Sequence, residues 1–177
     1  MEDFSISVVF SGLLGSILTM IFTKFYDDCR QKKNFKIEQK NLAKALKTEI
    51  SVLVKMYQKI KLPENPPNNG SNLNVAYISQ NYISVYENNT NRLGILNSDD
   101  IPKIIELYMC IKYLIDSLQW LSQRWEIYSR YGRTPNYSSK ELILKGVDVE
   151  NAYNAAREGE KIIFNLYNDV LNRLSKY

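Results

Sequence analysis

A chain of 177 residues with 45% hydrophobic and 24% charged side chains has the size and composition of one ordinary folded domain plus a short appendage. Its net charge of +4 is too small an excess to imply nucleic-acid binding by itself. The absence of any histidine excludes Ser-His-Asp and Cys-His nucleophilic sites, the commonest general base and every imidazole metal site, and two cysteines, Cys29 and Cys110, are too few for a zinc centre.

The first element is apolar. From Phe4 to Thr23 the sequence carries twenty residues without a charge, which as a helix would reach about 30 Å, the thickness of a bilayer's hydrocarbon core. Residues 4–23 therefore read as a transmembrane helix. A signal peptide would start with basic residues, whereas Glu2 and Asp3 stand here, and Lys24, Arg30, Lys32, Lys33 and Lys36 follow the span. The positive-inside rule then predicts a single-pass protein of the bacterial inner membrane, N-terminus outside and everything after Lys24 in the cytoplasm. Within the span Ser7, Ser11, Gly15 and Thr19 recur every fourth residue, with Gly12 and Ser16 beside them. Such a half-wheel of small and polar side chains admits two readings. Ser and Thr hydroxyls can bond back to their own helix, or the face can pack closely on, or line a lumen between, other copies of the chain.

Leu42, Leu46, Ile50, Leu53, Tyr57 and Ile60 repeat at spacings of three and four, so a juxtamembrane long helix is expected over 24–62, ending before Pro63. Residues 63–74, with three prolines, read as a loop, and 75–89 as a short helix. Ser98 or Asp100 then caps a helix with Pro102 in its first turn and its end near Tyr131. The principal stripe of that helix is Ile104, Ile105, Tyr108, Ile111, Leu114, Ile115, Leu118, Leu121 and Trp125. Met109, Tyr113, Trp120 and Ile127 form a second stripe on the far side, as in a central bundle helix or a subunit interface. A last helix is expected from Val149 to Ser175, with Ala152, Ala155, Ala156 and Gly159 permitting a close crossing. The expected fold class is all-α: an N-terminal transmembrane helix continuing into a cytoplasmic helical bundle, with the helical domain spanning 75–177.

Lys33, Lys36, Lys40, Lys44 and Lys47 share one face of the long helix. They suit a solvated polar face. Lipid headgroups would attract the lysines near Lys24, and RNA or a nucleotide messenger would account for the distal ones. Asp27 with Asp28 and Asp99 with Asp100 are sequence neighbours whose side chains diverge on a helix, so no metal site is expected. Arg124, Arg130 and Arg133 cluster near Trp125 and Tyr128, where they fit surface ion pairs or an anion site. No catalytic residue, cofactor or small-molecule substrate is expected.

The layout of one N-terminal anchor and a small helical domain resembles the membrane accessory protein of type VI-B, RNA-targeting CRISPR systems, a family linked to divergent HEPN-like domains. The resemblance implies a pore-like homo-oligomer in contact with membrane lipids, acting in antiviral defence beside an RNA-guided CRISPR effector or RNA. A HEPN ribonuclease requires Arg-x(4–6)-His, and this chain offers only Arg130 with Asn136 at that spacing. The resemblance therefore implies a non-enzymatic role, with a degenerate ribonuclease or a sensor for RNA or a cyclic oligonucleotide as the alternatives.

Overall fold

The computed structural model describes residues 2–60, 62–67, 83–131 and 138–177, with side chains from Gly15 onward except at Ile60 and Ser139, and among them every regular element is helical. The elements are α1 (Glu2–Ile60), a one-turn α2 (Ser84–Asn88), a 3-10 helix (Thr90–Ile95), α3 (Ile101–Tyr131) and α4 (Ser139–Leu174). The all-α expectation holds, and α3 has the expected end. Residues 75–82 of the expected short helix lie outside the described residues.

The chain divides into two units, 1–41 and 42–177. The first is helix alone. From residue 15 to 41 all its described side chains are exposed except the half-buried Gln39.

The second unit is a three-helix bundle built from residues 42–60 of α1 with α3 and α4. Tyr113 and Leu114 lie against Gly159, and Arg124 lies near Asp148, so α3 and α4 run antiparallel. Lys47 meets Ser175 and Tyr57 lies 6.5 Å from Phe164, so α1 runs antiparallel to α4 and hence parallel to α3, where Glu49 meets Tyr108. Leu42, Leu46, Ile50, Leu53 and Tyr57 supply the core side of α1, as their spacing predicts. On α3 the buried set is Ile104, Leu107, Tyr108, Ile111, Leu114, Ile115, Ser117, Leu118 and Leu121; Ile105 is exposed and Trp125 half-buried. The close crossing predicted on α4 is present at Gly159, where an added Cβ would stand 3.2 Å from the Tyr113 ring and 3.5 Å from the Leu114 backbone. Helix α4 starts ten residues before the expected Val149. Ser138 caps it, its hydroxyl accepting the Glu141 N–H while Glu141 accepts the Ser138 N–H.

The structure corrects the localisation. Among the described residues no helix is long and apolar enough to cross a membrane. Among the residues with described side chains, Lys24, Asp27, Asp28, Arg30 and Lys32 put five charges into the helix directly after Thr23. The expected single-pass placement in the inner membrane, with the N-terminus outside and the remainder cytoplasmic, is therefore not supported. Residues 4–14 of that span fall outside the described side chains.

Candidate interaction surface

Helix α3 is placed by two buried polar clusters, one at its first turns and one just before it. Glu49, on α1, is a carboxylate only 8% exposed. Its Oε1 accepts the Val85 N–H at 2.7 Å, and its Oε2 accepts the Tyr86 N–H at 3.0 Å and the Tyr108 hydroxyl at 2.7 Å. A carboxylate out of water needs such donors, and the first turn of α2 supplies two that have no intrahelical partner. Tyr86 stacks on Tyr108 at 4.1 Å, and burial, then the bond to Glu49, push the Tyr108 phenol far above its usual range.

The second cluster forms where the end of α4 returns to the start of α3. The buried Asp100 accepts from Arg173 at 3.0 Å and from the Tyr177 hydroxyl at 2.8 Å, and Tyr177 in turn accepts the Asn97 N–H at 2.7 Å. Tyr153 of α4 donates to the carbonyls of Pro63 and Glu64, fastening the segment after α1. Tyr57 is different. Its hydroxyl is buried with no hydrogen-bond partner, and desolvation, then the nearby Glu160 carboxylate, raise its pKa. Glu160 is held by Arg157 instead.

So positioned, α3 turns its second stripe away from the core. Met109 is 60% exposed, Tyr113 45%, Trp120 38% and Ile127 36%. Of the two readings of this stripe, full burial inside the bundle does not hold: α4 borders one flank, where Gly159 meets Tyr113 and Asp148 stands near Arg124, and all four residues keep a third or more of their surface exposed. Arg124 stands 6.0 Å over the Trp120 ring and 3.7 Å from Asp148. The early turns of α4 expose Ile143, Leu144 and Val147 as well. In the first unit Met20, Phe22, Phe25 and Tyr26 are each more than two-thirds exposed.

The other expected residues are not gathered into a site. Thr19 donates to the Gly15 carbonyl and Thr23 to the Thr19 carbonyl, both at 2.8 Å, which is the back-bonding reading of the small-residue face. A Cβ at Gly15 would meet nothing within 4 Å, and Ser16 is exposed. Ser7, Ser11 and Gly12 lie outside the described side chains. Lys33, Lys36, Lys40 and Lys44 are exposed, whereas Lys47 is half-buried and donates to Ser175 at 2.8 Å. Arg130 pairs with Glu126 one turn away, and Arg133 and Asn136 lie outside the described residues. Among the described residues no group of three acidic or cysteine side chains could hold a metal ion.

Sequence reasoning missed Glu49 and Asp100 as buried anchors. Glu49 lies within about 60° of the Leu42, Leu46 and Ile50 stripe on a helical wheel, which is the signal that could have placed it inside. No family model, no curated protein and no solved structure matches the chain.

Proposed function

We propose that this protein is a non-enzymatic homo-oligomer that assembles through the outer face of α3 and acts as an effector in antiviral, CRISPR-associated defence. The observation that carries self-association is the exposed row of Met109, Tyr113, Trp120 and Ile127, opposite a core stripe that is already buried. Single exposed apolar residues are ordinary, but four on one face with a tryptophan among them, flanked by Asp116 and Arg124, resemble an interface with an aromatic anchor. The exposed Phe22, Phe25 and Tyr26 of the first unit add a second surface in need of cover. The defence setting rests on the resemblance of layout alone. The assembly is proposed without a membrane span.

The non-enzymatic reading is supported by the chemistry of the side chains: a chain without histidine, whose best-placed carboxylates, Glu49 and Asp100, are both engaged in holding the bundle together. The test is the molar mass of the full chain in solution, measured with Trp120→Ala alongside. An assembly that weakens at least tenfold in Trp120→Ala supports the reading, since a central aromatic typically contributes about 2 kcal/mol or more to an interface. Salt-dependent RNA cleavage lost in Arg130→Ala would overturn it in favour of a ribonuclease.

A further inference from the structure

We infer that two copies pair antiparallel along α3, with a two-fold axis at Trp120; this rests on the self-association just proposed and adds its symmetry and register. The outer face of α3 reads as a chemical palindrome about Trp120. Between Met109 and Tyr131, the residues within about 40° of Trp120, at about 100° per residue, are those four, seven and eleven positions away, as around any helical residue, and it is their chemistry that is matched here. Counting outward in both directions, Asp116 stands four residues before it and Arg124 four after. Tyr113 stands seven before and Ile127 seven after. Met109 and Tyr131 stand eleven away on either side.

An antiparallel two-fold at residue 120 therefore sets acid against base twice, apolar against apolar four times, and tryptophan against tryptophan on the axis. An isologous contact demands this self-complementarity, because each residue meets its mirror in the partner. Any parallel in-register pairing would instead oppose Asp116 to Asp116 and Arg124 to Arg124. The seven-residue spacing of Tyr113, Trp120 and Ile127 keeps the seam facing the partner as two helices cross at a shallow angle. The face is open on the flank of Met109, Asp116 and Ile127, which are exposed with Trp120, while α4 borders the other flank through Gly159 at Tyr113, Asp148 at Arg124 and Lys145 at Tyr131. Arg124 stands 6.0 Å over the Trp120 ring and 3.7 Å from Asp148 of α4, so the second copy's Asp116 would share its guanidinium with Asp148.

The test is cross-linking of the full chain with Cys29 and Cys110 replaced by serine. Tyr113→Cys and Ile127→Cys are made in separate chains, and a short bis-maleimide is added to each alone and to the mixture. In this register position 113 faces position 127 of the second copy, while the two copies of position 113 are fourteen residues, or about 21 Å, apart along the helix pair. The mixture should cross-link efficiently and neither single variant should. Cross-linking of Tyr113→Cys with itself would overturn the antiparallel register, as would an oligomer whose mixture does not cross-link; both leave self-association standing. A chain that stays at 20.6 kDa would overturn both proposals together.

Charge exchange provides a second measurement that leaves Tyr113 and its contact with Gly159 intact. Asp116→Arg and Arg124→Asp should each weaken the pair about tenfold or more, by turning two attractions into two repulsions. Mixing the two variants should restore it, because each then meets the opposite sign. Failure of the mixture to recover would overturn the register.

Discussion

At position 49 a carboxylate accepts three hydrogen bonds away from water, and removing it leaves two backbone N–H groups and a phenol facing apolar neighbours. Glu49→Ala should therefore destabilise the bundle by about 3 kcal/mol, and Tyr108→Phe, which removes one donor with its burial intact, by about 1 kcal/mol; urea unfolding of each variant measures both. The same tyrosine predicts an alkaline limit. Its folded pKa lies above the usual value of 10.0, so above pH 10 the unfolded chain has lost a proton that the folded chain retains, and stability falls as pH rises. The contribution is fully present below pH 10, and the difference between wild type and Tyr108→Phe should narrow in unfolding curves taken from pH 9 to 11. None of this was visible in the charge pattern along α1, where Glu49 reads as one interruption among the lysines. Its burial depends on α2 arriving from more than thirty residues away, a tertiary fact that local periodicity does not carry.

Helix α3 was the most legible element, because one stripe of Ile, Leu and Tyr at three- and four-residue spacing predicts both its extent and its buried side. Ile105 departs from that pattern because it turns toward the outer face instead of the core. The start of α4 was legible in principle: Ser138 and Glu141 stand in the Ser-x-x-Glu spacing of a capping box, but the exposed Ile143, Leu144 and Val147 that follow give no core-facing stripe until Val149. Ser138→Ala should cost about 1 kcal/mol and fray the first turns of α4, read as loss of hydrogen-exchange protection there with little change around Tyr108. The close α3–α4 crossing makes the opposite demand on size. Gly159→Val should overpack against the Tyr113 ring and the Leu114 backbone and cost about 1 to 3 kcal/mol in urea unfolding.

For the whole molecule, the lack of histidine removes imidazole chemistry, while the proposed association depends on which apolar residues the bundle leaves outside. Met109, Tyr113, Trp120 and Ile127 could be separated from the core stripe by periodicity, but only the positions of α1 and α4 decide how far each stays exposed, with Tyr113 touched by Gly159 of α4 and Met109 the most open. The membrane placement drawn from 4–23 is the expectation that the structure corrects: among the described residues no helix is long and apolar enough to cross a membrane. The claim at the centre of this account is self-association through α3, and its most direct measurement is the molar mass of the full chain by multi-angle light scattering, with any detergent contribution subtracted. The account predicts a mass at least twice 20.6 kDa that falls toward the single chain in Trp120→Glu. A wild-type chain that remains at 20.6 kDa at all concentrations, or an assembly whose mass is unchanged by Trp120→Glu, would contradict it.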